Sequence, residues 1–214
     1  MQGNLGLSCA VPVRNVARIV RNKANGMRQI TDRQARRSRM LVALAGAALV
    51  AACAAPMAND PPPRPGDPYD VQASAPGKPV CYATTAAENA IGAAATNRAR
   101  SRAGLTPVAP DSALARAAQQ HACDMAARGR MAHRGSRSSG PAQRVKALNY
   151  LPSVTAENIA AGPFDLNRVL AEWNRSQGHL DNILIPQMRA FGIGRALGSD
   201  GRTVFWSAVY AAPK

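Results

Sequence analysis

Aromatic residues are scarce in this chain, and the motifs that mark the common hydrolases are missing from it. Phe, Trp and Tyr make up 4% of the 214 residues, and much of the 46% hydrophobic content is alanine. We therefore expect a small core. The absence of G-x-S-x-G and H-E-x-x-H motifs argues against the serine hydrolase elbow and the helical zinc peptidase site. There is no internal repeat, and the length suits one ordinary domain with extensions.

Acidic residues are also few, and the basic excess is spread over the chain. Lys and Arg number 27 against 12 Asp and Glu, for a formal net charge of +15. Residues 1–52 hold nine basic residues and one Asp, whereas residues 53–80 hold two basic and three acidic residues. Residues 81–214 hold sixteen basic and eight acidic residues, which leaves about half of the net charge in this part. Such a charge can indicate nucleic acid binding, but the following features indicate export, so no nucleic acid partner is expected.

The first part of the chain has the pattern of a bacterial lipoprotein signal peptide, which we place at residues 27–52. Residues 33–39, RQARRSR, form a basic segment. Residues 40–52, MLVALAGAALVAA, form an apolar segment that is too short to be a comfortable membrane span. Small residues stand directly before Cys53, as in a lipobox, so we predict cleavage before Cys53 and lipidation of its thiol. The alternative is an ordinary signal peptide that is cut near Ala55.

Residues 1–26 add nothing that a signal peptide needs. We interpret them as a leader extension or as a misassigned start, with Met27 or Met40 as the true first residue. Ala54 follows the predicted lipidated cysteine, whereas Asp at that position is the usual signal for retention in the inner membrane. The sequence therefore predicts a lipid anchor in the membrane of the cell envelope, in the outer membrane of a two-membrane cell, facing the periplasm or the exterior.

A proline-rich stretch follows Cys53. It has few large apolar side chains and cannot bury enough surface to offset the entropy of ordering, so residues 53–80 are predicted to be a tether. Of the four cysteines, Cys9 would leave with the leader and Cys53 would carry lipid. Cys81 and Cys123 remain, and an exported pair is a candidate disulfide. Two free thiols are the alternative.

Residues 111–129 have the pattern of one amphipathic helix. Asp111 or Ser112 can cap its start, and Gly129 can end it. An apolar stripe recurs on one face at i, i+4, i+7 and i+11, in Leu114, Ala118, His121 and Met125. Cys123 lies opposite that stripe, towards a covering segment that could contain Cys81. A lone His on an apolar helical face is usually a core residue, so we predict a structural role for His121.

Seven segments follow one another in a characteristic order. They are NRARSRAGLTPV (97–108), HACDMA (121–126), MAHRG (131–135), TAENIAAG (155–162), EWNRSQGHLDNIL (172–184), GIGRA (192–196) and TVFWSAVY (203–210). Their order and spacing resemble the bacterial branch of the CAP superfamily, which includes cysteine-rich secretory proteins, antigen 5 and plant pathogenesis-related proteins. The resemblance extends over residues 85–212, and we place the domain at residues 81–214.

The resemblance implies an α+β fold, a three-layer α-β-α sandwich with a small antiparallel sheet. The local pattern agrees, since it predicts helices at 85–103, 111–128, about 141–148 and 166–177. In the last helix Asp165 is the predicted cap, and the buried stripe consists of Leu166, Val169, Leu170 and Trp173. Two strands, AFGIGRAL and TVFWSAVY, flank GSDGR, whose Asp-Gly pair predicts a hairpin turn.

The family places two His and two acidic residues in a groove, and the resemblance carries over where residues match. His133 corresponds to the first His, Glu157 to the Glu of the E-N motif, and His179 to the second His. Eukaryotic members place the fourth group three residues after the helix Trp, where this chain has Ser176. Glu172 lies one turn earlier and is the candidate to reach the same groove. The alternative for Glu172 is a solvated surface charge.

These residues leave two hypotheses for the function. The preferred one is a non-enzymatic binding module that holds a lipid, a peptide or an anionic envelope polymer in the groove. The alternative is a metal-assisted hydrolase or peptidase, with His133 and His179 as zinc ligands and with Glu157 as general base towards a water held by His179. Structural hydrogen bonding by the same residues is the third interpretation. Trp173 is predicted to anchor its helix in the core, and Gly178 to turn the chain towards His179.

Overall fold

The computed structural model describes residues 70–214 and, for its backbone alone, one strand at Leu7–Val11. The signal peptide of residues 27–52, the lipidation of Cys53 and the first part of the tether lie outside the described residues and stay predictions. Within the described part of the chain, no helix is both long and apolar enough to span a membrane.

Helices and strands alternate irregularly along the described residues. The helices are α1 (Ala86–Arg102), α2 (Ser112–Arg128), α3 (Pro141–Lys146), α4 (Leu166–Arg175) and α5 (Gln177–Ile183). The strands are β1 (Leu7–Val11), β2 (Val71–Gln72), β3 (Val80–Cys81), β4 (Ala109–Pro110), β5 (Arg130–Met131), β6 (Pro152–Gly162), β7 (Ala190–Leu197) and β8 (Val204–Pro213). The predicted α+β class is confirmed.

The main sheet has the strand order β1-β6-β8-β7-β3, and β4 pairs parallel to β7. Its centre is antiparallel, with Ile159 of β6 opposite Ser207 of β8. β7 and β8 form a hairpin that turns through residues 198–203, with Gly201 in the left-handed region at φ 65°. The hairpin predicted around GSDGR is therefore confirmed.

Side-chain alternation along the strands divides the core into two layers. On β6 and β8, even-numbered residues such as Ala156 and Trp206 pack against α1, α4 and α5. Odd-numbered residues such as Ile159 and Phe205 pack against α2. Val145 of α3 covers the same face as α2. The sheet is thus buried on both faces and forms the middle layer of the predicted sandwich.

α2 lies close to β7 because two glycines face it. A Cβ at Gly192 would come within 2.1 Å of the Ala115 nitrogen, and a Cβ at Gly194 within 2.2 Å of the Gln119 nitrogen. Side chains have no room at either position unless the helix moves away. The GIG segment of β7 therefore sets the distance between α2 and the sheet.

Polar caps define the helix boundaries. Thr85 and Glu88 form a capping box at the start of α1. Asp111 and Asp165 each accept a main-chain N–H group at the start of α2 and α4. Gly129 ends α2 with φ 63°. The caps predicted at Asp111, Gly129 and Asp165 are confirmed.

The helix after Asp165 is shorter than predicted, and a second helix follows it directly. α4 ends at Arg175, and Ser176 between the two helices is extended, with φ −90° and ψ 123°. The prediction that Gly178 turns the chain is wrong, because Gly178 lies inside α5. Serine is common at helix boundaries, since its hydroxyl competes for main-chain hydrogen bonds.

The tether is also shorter than predicted, because residues 70–79 pack on the domain. Val71 of β2 pairs with Met131 of β5. The N–H groups of Ala73 and Ser74 donate to the Gly129 carbonyl, as does the amide of Gln72. The tether prediction is thus wrong for residues 70–79, because the end of α2 supplies these main-chain groups with partners that composition does not reveal.

Cys81 and Cys123 form the predicted disulfide, with their Cα atoms 5.3 Å apart. The bond ties β3, at the edge of the sheet, to the outer side of α2. The segment that contains Cys81 therefore covers the outer side of α2, as the position of Cys123 on that helix indicated.

Replacing both cysteines, as Cys81→Ser with Cys123→Ser, is expected to lower the free energy of unfolding by on the order of 4 kcal/mol. The disulfide spans 42 residues, and its loss frees that loop in the unfolded chain. Urea unfolding of the double variant beside the wild type measures the change. Cys9→Ser, which leaves this bond intact, is the control, and a loss below about 1 kcal/mol would contradict the expectation.

Candidate functional site

Glu157 carries a carboxylate buried inside the domain. It lies on β6, its side chain faces the layer of α2 and α3, and the residue is 2% exposed. Taking a carboxylate out of water is costly unless charge and hydrogen bonds compensate it. The surrounding residues must therefore supply both.

Both oxygens of the Glu157 carboxylate accept hydrogen bonds. Arg144 Nη2 donates to Oε1 at 2.6 Å, and Ser207 Oγ donates to the same oxygen at 3.0 Å. His133 Nδ1 lies 2.9 Å from Oε2, and since the carboxylate only accepts, this ring nitrogen donates. A guanidinium, a hydroxyl and an imidazole thus hold the carboxylate, and together with His121 we name this set the Glu157 cluster.

Arg144 links the carboxylate to the chain segment before α3. Its Nη1 donates to the His133 carbonyl at 3.0 Å and to Ser138 Oγ at 2.9 Å. Its Nε is buried and has no hydrogen-bond partner among the described residues. The guanidinium therefore fixes α3, the preceding segment and β6 in one arrangement.

His121 of α2 completes the cluster. Its Nε2 lies 2.9 Å from the Ala132 carbonyl and 3.7 Å from Glu157 Oε2. Burial, which outweighs the attraction of Glu157, lowers the pKa of His121 to about 4. The ring is neutral near pH 7, so Nε2 donates its proton to the carbonyl. As predicted, His121 is buried on the inward face of its helix, although the sequence did not predict its proximity to Glu157.

The electrostatics of the cluster keep Glu157 ionised. Burial is the largest single effect and raises the pKa of Glu157, but the Arg144 guanidinium, His121 and the hydrogen bond from His133 together outweigh it and hold the pKa well below the usual range. A carboxylate this weakly basic and this enclosed is a poor acceptor for a proton from water. The geometry therefore does not support Glu157 as a general base.

Asn158, the next residue of β6, points to the opposite face of the sheet. Its Nδ2 donates to the His179 carbonyl at 3.3 Å and to the Tyr210 hydroxyl at 3.2 Å. Asn182 of α5 donates to the Glu157 carbonyl at 3.1 Å and to Asn158 Oδ1 at 2.9 Å. These bonds fasten α5 to β6.

His179 belongs to this second layer. It is buried, and its ring centroid lies 6.3 Å from that of Trp173, which is buried in the core as predicted. No hydrogen bond or ion pair within the described residues joins His179 to His133 or Glu157. The structure therefore brings His133 and Glu157 together as predicted and places His179 on a different layer.

Glu172 and Ser176, the two candidates for the fourth position, lie away from the cluster. Both are on or next to α4, which packs against α1 and α5 in the second layer. The Glu172 carboxylate is partly exposed and forms no hydrogen bond or ion pair with a described residue. Ser176 is the junction between α4 and α5. Neither residue reaches Glu157, which favours the solvated surface charge for Glu172.

The donor set does not fit the zinc site predicted from His133 and His179. An open zinc site needs about three donors at roughly 2 Å from one ion. The hydrogen bond to Glu157 leaves His133 with Nε2 as its possible metal donor, and His179 belongs to another layer. In residues 70–214, no group of three or more His, Cys, Asp or Glu side chains is placed to hold a metal ion.

A cleft of about 500 Å³ opens beside the Glu157 cluster, and we name it the α2–α3 cleft. It lies between α2, α3 and the segment 135–138, and its walls combine apolar surface with polar groups. The polar lining residues are Gln120, His121, Asp124, Ser136, Arg137, Ser138, Gln143 and Arg144. Asp124 is already paired with Arg128 and Ser136. Arg144 is paired with Glu157 in the same way, so among the described lining residues the uncompensated charge is that of Arg137, which is basic.

Two members of the Glu157 cluster, Arg144 and Ser207, are absent from the sequence prediction. Arg144 lies in the helix predicted at 141–148, but a basic residue in a short helix usually faces solvent. Ser207 stands between buried apolar residues of β8. A hydroxyl inside an apolar strand is the signal that indicates a buried polar partner.

A sheet covered by helices on both faces, with a buried Glu of an E-N motif bound by a His, is the arrangement that the sequence resemblance implies. The chain belongs to the cysteine-rich secretory protein (CAP) family, whose model matches residues 93–210. It is similar to the protein YkwD of Bacillus subtilis, with 30% identity over 99 residues. The match covers 46% of this chain and 38% of that relative, so the chain aligns with well under half of YkwD.

Two solved structures are also similar. An outer surface protein from Borrelia burgdorferi gives a TM-score of 0.54 at 21% identity, over 64% of this chain and 99% of that chain. An extracellular protein containing an SCP domain from Bacillus anthracis gives 0.51 at 25% identity, over 59% of this chain and 40% of that chain. Both likenesses agree with the three-layer fold.

Removing the cation of the cluster, as in Arg144→Met, is expected to cost about 3–5 kcal/mol of unfolding free energy, because it leaves the Glu157 carboxylate buried and unpaired. The double variant Arg144→Met with Glu157→Gln is expected to recover a large part of this loss. Urea unfolding measures both. Lys146→Met, at an exposed position of α3, is the matched control, and an equal loss in that variant would contradict the ion-pair account.

Stability is expected to fall as the pH drops below 7, because His121 stays neutral in the folded chain and takes a proton only when the chain unfolds. With its pKa lowered from 6.5 to about 4, the expected loss between pH 7 and pH 5 is about 2 kcal/mol. His121→Gln removes the titrating ring and should flatten the profile. Thermal unfolding across this range measures the slope, and the same slope in both proteins would refute the assignment to His121.

Proposed function

We propose that this protein is an exported binding module of the cell envelope that holds an anionic segment of an envelope polymer in the α2–α3 cleft. The observation that carries the proposal is the exposed guanidinium of Arg137 in the lining of the cleft. Arg137 is exposed and forms no hydrogen bond or ion pair with a described residue, whereas Arg144 is paired with Glu157 and its Nε is buried. Guanidinium groups with free donors suit carboxylate and phosphate groups.

The other groups of the cleft narrow the ligand class. Hydroxyl and amide side chains, as in Ser136, Gln120 and Gln143, suit a hydroxylated ligand, and the apolar surface between them suits the faces of sugar rings. A fatty acyl chain would leave these polar groups without partners. The cleft therefore supports an acidic, hydroxylated polymer better than a lipid.

Several features support the export of this chain. The similar proteins include an outer surface protein and an extracellular protein by their names. The disulfide between Cys81 and Cys123 suits an oxidising compartment. The predicted signal peptide and the predicted lipid on Cys53 would hold the domain at the envelope membrane, and the outer membrane remains our proposal for its place.

The alternative function, a metal-assisted hydrolase centred on His133, Glu157 and His179, has weaker support. Glu157 is ionised, enclosed and bound by Arg144, and His179 belongs to another layer. His133 hydrogen-bonds to Glu157 in the manner of a histidine oriented by a carboxylate, but its Nε2 is buried. A binding role makes fewer demands on these residues than water activation does.

Calorimetric titration with soluble peptidoglycan fragments that carry free carboxylates tests the proposal. We expect binding by the wild type that weakens as salt is added. Arg137→Gln should weaken it about tenfold, which corresponds to about 1.4 kcal/mol. Arg175→Gln, which removes the same charge from an exposed position of α4, is the matched control and should leave the affinity unchanged.

Neutral chito-oligosaccharides of the same length separate recognition of the anion from sugar binding in general. Equal weakening in the two arginine variants, or equal affinity for the neutral sugar, would refute the proposed anion site. Shortening of the fragments by the wild type, lost in His133→Gln, would establish the hydrolase in its place.

A further inference from the structure

β6 has neighbours of different kinds on its two edges. β8 pairs with nearly its full length, whereas the outer edge pairs with β1, a short strand from the far N-terminal part of the chain. β1 runs antiparallel to β6 in five successive pairs, from Leu7 opposite Ala161 to Val11 opposite Glu157. Apart from β1, no described strand pairs with this edge, so its main-chain groups depend on that one partner.

The outer edge of β6 lacks most of the devices that usually protect a sheet edge. Natural edges are blocked by Lys, by Pro, by a bulge, by a very short strand or by an inward-pointing charge, and of these β6 has the inward-pointing charge of Glu157 at one end of the paired stretch. Residues 157–162 of β6 read ENIAAG and contain no Lys or Pro. The register irregularity of β6 lies at its other end, between Pro152 and Val154. An edge of this kind is a template for an added strand.

α5 forms a wall beside this edge. β1 contacts α5 as well as β6, so β1 lies in a slot between these two elements. The slot does not depend on β1 for its wall, because Asn182 of α5 is bound to the Glu157 carbonyl and to Asn158 Oδ1. A strand entering the slot thus meets a surface that is already in place.

We propose that the outer edge of β6 is a docking site for an extended segment of a partner polypeptide, which adds to the sheet as an antiparallel strand. The partner segment is uncharged and composed of small and aliphatic residues, as is LSCAV at residues 7–11. Main-chain hydrogen bonds supply the affinity in this mode of recognition. The predicted cleavage before Cys53 would remove β1 from the exported chain and open the edge. This surface is separate from the α2–α3 cleft and goes beyond the proposed function.

Hydrogen exchange of residues 155–162 in the full chain tests the proposal. The variant Cys9→Pro with Ala10→Pro removes two consecutive main-chain N–H donors from β1. Successive N–H groups of a strand point to opposite sides, so one of the two removed donors is a donor to β6. Exchange in residues 155–162 is expected to rise at least tenfold in this variant. A synthetic peptide of residues 5–13, with Ser in place of Cys9, is expected to restore the protection. The same peptide with Pro at positions 9 and 10 is expected to have no effect.

Protection of β7 and β8 reports whether the variant still folds. If it does not, Cys9→Gly with Ala10→Gly weakens β1 and retains every donor, and the peptide is then tested on that variant. Unchanged exchange at residues 155–162 after β1 is disrupted, or no protection by the peptide, would overturn the proposal. Protection that depends on protein concentration, with dimers seen by sedimentation, would assign the edge to a second copy and overturn it as well.

Discussion

The ion pair between Glu157 and Arg144 is the interaction on which the rest of this domain depends. It joins β6 in the middle layer to α3 in the outer layer, and the same guanidinium holds the segment that carries His133. A buried pair of this kind contributes less to net stability than its geometry suggests, because both ions lose their water. The pair also fixes where α3 lies on the sheet, since Arg144 is the residue of α3 that binds the carboxylate.

The same pair decides what the site can do. Because Arg144 keeps Glu157 charged, the carboxylate acts as a fixed anion around which His133, His121 and Ser207 are ordered. The chemistry available to a ligand is then that of the remaining donors in the α2–α3 cleft. The domain is thus rigid next to the carboxylate and has its adaptable side chains on the cleft wall.

The helices were predictable because their signals are local. Asp111, Asp165 and Gly129 cap main-chain groups only a few residues away, so a short stretch of sequence contains the whole interaction. β6 was recognised as a family motif and not as a strand, because it is buried on both faces and shows no alternation of polar and apolar residues.

The candidate site was predictable in part, for a related reason. The motifs order Glu157, Asn158 and His179 along the chain, but adjacent residues of a strand point to opposite layers. Asn158 donates to the main-chain carbonyl of His179, and the His179 ring lies near Trp173. His179 therefore belongs to the layer on the opposite side of the sheet from the Glu157 side chain. Arg144 carries no local mark, since its partner lies on a strand that the helix pattern does not reveal.

The glycines of β7 have a consequence for how the α2–α3 cleft admits a ligand. Gly192 and Gly194 bring α2 into main-chain contact with the sheet, and the disulfide at Cys123 holds its outer side. The α2 wall of the cleft is therefore held by main-chain packing and by the disulfide. The opposite wall, segment 135–138, is held through side chains, because the Ser136 N–H donates to the Asp124 carboxylate and Arg144 donates to the Ser138 hydroxyl. The cleft thus has one wall fixed by main-chain packing and a second wall held by side-chain hydrogen bonds.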